Sequence, residues 1–194
     1  MISNLVYDVG MNNGDDTAYY LQTGYRVIAI EANPVLAAQV SGRFAKDIER
    51  GELTILNIGI SDREGEIPFW VCDDISEWSS FDRNFTMRDG AAHHQIMVNC
   101  RRFGSILQEF GVPYYLKLDI EGNELYCLCD LTPSDLPKYL SFENTNTIEC
   151  LNLVRDLGYT AFKMISQINL LPMENPPSSE QMQYEMVLSK LNGN

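Results

Sequence analysis

Apolar stretches in this sequence are short, and none approaches the ~18 residues that suggest a membrane span. The N-terminus has no basic region followed by an apolar run, so no secretory signal is read there. Basic residues are scarce as well: 14 Lys and Arg stand against 27 Asp and Glu, for a formal net charge of -13. Such a surface repels phosphate backbones and anionic lipid, which argues against a nucleic-acid or membrane partner. The acidic excess itself reads as a device for solubility. The five cysteines, Cys72, Cys100, Cys127, Cys129 and Cys150, are an odd number without framework spacing. They are therefore expected to be free thiols in a reducing compartment. Cys127 and Cys129 are too close for the usual zinc pair, and no second pair accompanies them. A cytoplasmic location is the expectation, and the length suits one domain over 1–194.

The most telling absence is a glycine. In Val6-Tyr7-Asp8-Val9-Gly10-Met11-Asn12-Asn13-Gly14-Asp15-Asp16-Thr17 a short apolar run ends in an acid, and a tight turn leads into a helix start. That is the cofactor corner of a parallel α/β sheet. A dinucleotide site needs Gly-x-Gly-x-x-Gly so that bare backbone can approach a pyrophosphate. Here Asn12 stands where glycine is usual, and Asn tolerates left-handed backbone better than most residues. Asp8, Asp15 and Asp16 would repel phosphate. They suit a ligand carrying an amino group and a sulfonium, as S-adenosylmethionine does. A nicotinamide oxidoreductase is correspondingly disfavoured.

Strands and helices alternate along the chain, which argues for a mostly parallel sheet with helices on both faces. Strands are expected at Leu5–Val9, Arg26–Glu31, Leu53–Ile58, Ile67–Cys72, Ile96–Arg101, Tyr114–Ile120, Tyr139–Glu143, Thr160–Ile165 and Tyr184–Ser189. Helices are expected at Asp15–Thr23, from Pro34 to about Gly51, and at Ser105–Phe110, Leu125–Leu131 and Thr147–Leu157. Asn33 and Pro34 supply an N-cap and a first helical residue. The stretch 73–95 has few periodic apolar positions and reads as a loop or lid insertion.

Glu31 ends the second strand about 20 residues beyond Gly10, the spacing of a carboxylate that accepts from ribose hydroxyls. Asp8 is placed to meet the amino end of a cofactor, directly or through water, or to fix the turn. Thr17 offers a hydroxyl from the first helical turn, or ordinary capping. In Tyr115-Leu116-Lys117-Leu118-Asp119-Ile120-Glu121-Gly122-Asn123-Glu124, alternation puts Lys117, Asp119 and Glu121 on one side of an apolar strand. Such groups must meet each other, a ligand or an opening. Glu143 ends the next strand and would face the same crevice. Asp119, Glu121, Glu143 and His93 are the candidate bases, in that order, with His93 read in the long loop. The three carboxylates could alternatively hold Mg²⁺ through oxygen ligands.

These residues resemble the FkbM family of S-adenosylmethionine-dependent methyltransferases, over roughly Leu5 to Glu149. The likeness rests on the Asp8–Thr17 turn, on Glu31-Ala32-Asn33-Pro34, and on Asn57-Ile58-Gly59-Ile60-Ser61-Asp62 followed by Gly65. Lys117-Leu118-Asp119-Ile120-Glu121-Gly122 and Ser141-Phe142-Glu143 complete it. It implies a Rossmann-like class I sheet of seven strands, the last antiparallel. It also implies methyl transfer to a hydroxyl of a sugar or other small natural product. Asp8, Gly10, Asn12, Gly14, Thr17, Glu31 and Ala32 would hold the cofactor, with Ser61 and Asp62 near the adenine. Asp119 would lie near the methionine end or the acceptor. After about Ile168 the chain departs from the pattern, becoming short and polar before its last strand. A SAM-binding module without catalysis is the alternative of a different class.

Overall fold

The apolar run ahead of the acidic turn becomes the central strand of a parallel sheet. In a computed structural model, which describes residues 1–143 and 147–165, β1 (Ile2–Val9) pairs on one side with β2 (Arg26–Ile30) and on the other with β7 (Pro113–Leu118). β3 (Leu53–Leu56) and β8 (Tyr139–Phe142) form the edges, giving the order β3-β2-β1-β7-β8, with every pairing parallel. A strand covered on both faces reads as a continuous apolar run, and Leu5, Val6, Tyr7 and Val9 are all buried.

Alternation assigns each face its helices. Val6, Val27 and Ala29 pack with Tyr20 of α1 (Asp15–Gln22) and Val40 of α2 (Pro34–Arg43). On the opposite face Tyr7 meets Phe103 of α5 (Phe103–Phe110) edge to face, at 6.1 Å between ring centroids. The Tyr7 hydroxyl donates to the Gly111 carbonyl at 2.7 Å, just beyond that helix. Between α2 and β3 lies the short α3 (Ala45–Glu49), and α6 (Glu124–Cys129) follows β7. Asn33 caps α2 as its sequence implies, its side chain accepting from the Val35 amide at 2.9 Å.

A second sheet is built from β4 (Gly59–Ile60), β5 (Gly65–Cys72) and β6 (His93–Arg101), in the order β4-β6-β5. β5 and β6 are antiparallel. Between them the expected loop is largely structured: 3-10 turns at Ser76–Trp78 and Arg88–Gly90 flank the four-residue α4 (Arg83–Thr86). β6 also starts earlier than the apolar pattern suggests. His93, His94 and Gln95 pair with Cys72, Val71 and Trp70, so His93 belongs to a strand and not to a loop. His94 and Gln95 are exposed, and a strand end with wet side chains leaves no hydrophobic alternation to read.

Met1–Glu143 is one compact unit, and Asn144–Asn194 groups as a second. Of the second, α7 (Thr147–Leu157) buries Cys150 and Val154. Thr160–Ile165, expected as a strand, is irregular backbone over 160–164 with its apolar Phe162 and Ile165 exposed. The last expected strand, Tyr184–Ser189, lies outside the described residues, so the parallel sheet among them has five strands. The five cysteines are free thiols, and all but Cys129 are buried. No helix among the described residues is long and apolar enough to cross a membrane.

Candidate functional site

The turn after β1 is held by β2. The amides of Gly10 and Met11 both donate to the Ile30 carbonyl at 3.0 Å. Gly10 has φ +85°, and a Cβ there would stand 1.8 Å from the Asp119 carbonyl oxygen. The glycine is therefore required by the close approach of the chain leaving β7. Asn12 adopts φ +47°, the left-handed conformation its sequence position implied. Gly14, at φ +80°, is the N-cap of α1, and a Cβ there would come within 2.9 Å of Val40. The turn's two glycines thus have separate causes, one in each neighbouring element.

Glu31 stands just past the end of β2, 8% exposed, and both of its oxygens accept backbone amides at 2.8 Å, from Asn12 and from Asn33. Burial pushes this carboxyl above its ordinary range, against the pull of those amides. Each oxygen retains a lone pair for a ligand hydroxyl. Ala32, beside it, packs against the Phe69 cluster of the second sheet. The Asn57 side chain donates to the Glu31 carbonyl at 2.8 Å and to that of Ala32 at 3.2 Å, fixing the same corner from the end of β3. Ser61 is buried, with its amide on the Arg101 carbonyl and its hydroxyl on Asp62 at 3.1 Å. Asp62 itself is exposed.

The acids of the two motifs converge on one ammonium. Lys117 lies beside Asp8 in the β1–β7 register. Its Nζ is 3.2 Å from Asp8, 3.0 Å from Asp16 and 3.6 Å from Asp119, and it also donates to the Gly10 carbonyl. Asp8 is fully buried, and its second oxygen accepts from the equally buried Thr17 hydroxyl at 2.6 Å. Asp8 and Thr17 are thus enclosed, bonded to each other and, through Asp8, to Lys117. Burial works against the Lys117 charge, but Asp8, Asp119 and Asp16 outweigh it and hold the ammonium above its usual range. Burial likewise raises Asp8, although Lys117 and Thr17 pull it down. One cation among three carboxylates leaves this corner negative on balance.

The four candidate bases are placed differently. Asp119, 41% exposed, follows β7 directly, its amide extending the ladder to the Val9 carbonyl. Glu121, one turn further, has φ +42° and forms an ion pair with Arg88 at 2.6 Å. Glu143 follows β8, half-buried, its amide on the Leu118 carbonyl. His93 sits edge to face with Trp70 at 5.6 Å, with Arg83 donating to its Nε2 at 3.4 Å and its Nδ1 3.1 Å from the Ala91 carbonyl. Both ring nitrogens are engaged by the hairpin. Asp119, Glu121 and Glu143 do not come together as a metal-holding group among the described residues.

Alternation in the sequence puts Lys117 on one side with Asp119 and Glu121, as groups that must meet each other, a ligand or an opening; the structure joins it to Asp119 and adds Asp8 and Asp16. The signal was there in the Lys-x-Asp spacing, whose two side chains must share one side of the strand. Arg88 and Ser76, which touch the two turns from residues 73–92, carry no motif that could have singled them out.

Comparison with curated proteins and with solved structures returns no match. The sequence profile described as the Methyltransferase FkbM domain matches residues 8–160, from the buried acid of the first turn to beyond α7. That span includes both turns, Glu31 and the lysine between the acids, and the chain belongs to the FkbM methyltransferase domain family.

Proposed function

We propose that the protein transfers the methyl group of S-adenosylmethionine to a hydroxyl oxygen of a sugar or other small natural product. The single observation that carries this reading is the surplus of negative charge around Lys117. The donor carries an ammonium and a sulfonium and no phosphate, which suits such a corner, whereas a pyrophosphate would be repelled. The second fit is Glu31, an acid past the end of β2 whose oxygens are aimed by two amides. It would accept from the ribose hydroxyls, with Gly10, Asn12, Gly14 and Ala32 shaping the turn and Ser61 and Asp62 on the adenine side. Asp16 and Asp119 supply the exposed carboxylates, while Asp8 and Thr17 hold Lys117 and α1 in place.

When bound, the donor supplies an activated methyl group. The chain's part is to orient the acceptor oxygen and to take its proton, since a hydroxyl is a weak nucleophile near neutral pH. Asp119 leads as the base because it is the accessible carboxylate at the end of β7. Glu121 is tied to Arg88, Glu143 follows the neighbouring strand, and His93 is engaged in the hairpin. Asp119→Asn is expected to lower turnover about 10²–10⁴-fold while S-adenosylhomocysteine affinity changes less than about tenfold. Single-turnover kinetics beside calorimetry separates the two effects, and a parallel loss in both would assign Asp119 to binding instead.

Calorimetric titration with S-adenosylmethionine, S-adenosylhomocysteine and NAD tests the reading itself, followed by an acceptor screen that detects S-adenosylhomocysteine. Both adenosyl ligands should bind and NAD should not. Preference for NAD would overturn it. Glu31→Gln should weaken S-adenosylhomocysteine about 10–100-fold, the size expected for losing hydrogen bonds to a charged acceptor. An unchanged affinity would remove Glu31 from the ribose site.

A further inference from the structure

Residues 73–92 touch both turns of the candidate site. The Ser76 hydroxyl donates to the Asn12 side chain at 3.2 Å, on the turn after β1. The Ser80 hydroxyl donates to the Glu121 carbonyl at 2.8 Å, on the turn after β7. Ser80 is itself almost wholly buried and exchanges two backbone hydrogen bonds of 2.9 Å with Trp70. The segment therefore hangs from the β5–β6 sheet and reaches across to the parallel one. Its strongest link is Arg88 to Glu121, at 2.6 Å with both side chains only 12% exposed. The guanidinium also lies over the rings of Phe85 and Trp78, at 4.8 and 5.5 Å from their centroids. Glu121 adopts a left-handed backbone, which costs a non-glycine residue about 1–2 kcal/mol unless its surroundings hold it there.

We propose that Arg88 is a positioning residue of the candidate site: its ion pair with Glu121 latches residues 73–92 across the two turns, and this latch must open for ligands to enter and leave. The inference rests on the reading above, in which donor and acceptor meet between those turns. Two aromatic rings brace the guanidinium in the closed arrangement, and removing either partner there would leave the other charge buried without this counter-charge. The rest of the segment is short 3-10 and helical turns, the kind of structure that opens at a small fraction of the global unfolding free energy.

Hydrogen exchange on the full chain, beside stopped-flow binding of S-adenosylhomocysteine, tests the latch. In Arg88→Gln, exchange at the amides of Ser80, Phe85 and Met87 should rise about tenfold or more, with the β1 amides unchanged. Association and dissociation of S-adenosylhomocysteine should both accelerate, so that the rates move more than the affinity does. Arg88→Lys should recover part of the protection, and Glu121→Gln should reproduce the Arg88→Gln pattern. Exchange in 73–92 within about twofold of the parent would overturn the proposal. So would a rise spread evenly over Met1–Glu143, which would mark a merely structural role. If the parent chain does not bind S-adenosylhomocysteine, the donor reading falls, while the exchange data still decide whether Arg88 holds the segment.

Discussion

Lys117→Met should lower the unfolding free energy by about 3–5 kcal/mol at neutral pH, because it strands a fully buried carboxylate without its counter-charge. Against a total of about 5–15 kcal/mol for a domain, that is a large share. The deficit should also depend on pH. The Lys117 charge is held above its ordinary range, so its contribution is complete below the unfolded-state value of about 10.4 and fades only as pH rises through the folded-state value. Asp8 is raised by burial, so between its unfolded-state value of about 3.9 and its folded-state value the native chain holds the extra proton. Stability from that group therefore increases as pH falls through the window. Removing Lys117 takes away the largest pull lowering Asp8 and widens the window. Urea unfolding at pH 5 and pH 8 should show the smaller gap between parent and variant at pH 5. A gap below about 1 kcal/mol at both would mean that Asp8 finds its compensation elsewhere.

Gly10→Ala should be almost as damaging, by a different route. An alanine at φ +85° pays the left-handed penalty of about 1–2 kcal/mol. Its Cβ would also overlap the Asp119 carbonyl oxygen, which is backbone and cannot swing aside. With overpacking worth about 1–3 kcal/mol, the total loss is about 2–5 kcal/mol. Relief by displacing Asp119 would move the leading candidate base, so turnover should fall further than the loss of stability explains. Thermal melts beside activity at a temperature where the variant is folded separate the two. Normal turnover in the folded fraction would show that Asp119 tolerates the shift.

The central strand, its acidic turn and the Asn33 cap could all be read in the sequence because each rests on local chemistry. An apolar run buried on both faces, a residue able to adopt positive φ and a side chain with a free carbonyl are visible without neighbours. The start of β6 was not, since His94 and Gln95 are exposed and show no alternation. The ion pair of Glu121 with Arg88, 33 residues upstream, could not be foreseen either. Nothing local marks which of the segment's arginines turns inward: Arg83 lies over Trp70, Arg88 over Phe85 and Trp78. Gly10 was read as a turn residue, yet its demand for space comes from Asp119, a neighbour supplied by the fold.

The order of the five parallel strands also governs how the chain is made. β1 meets β2 within its first 30 residues, but its other edge waits for Tyr115 and Leu116, more than 100 positions later. At about 5–20 residues per second, a ribosome leaves that apolar edge uncapped for roughly 5–20 s. An unpaired strand with the apolar run Leu5-Val6-Tyr7 is an open invitation to pairing with another nascent chain. Chaperone demand during translation should therefore be set by the arrival of Pro113–Leu118, and slower elongation, which lengthens the exposure, should raise it.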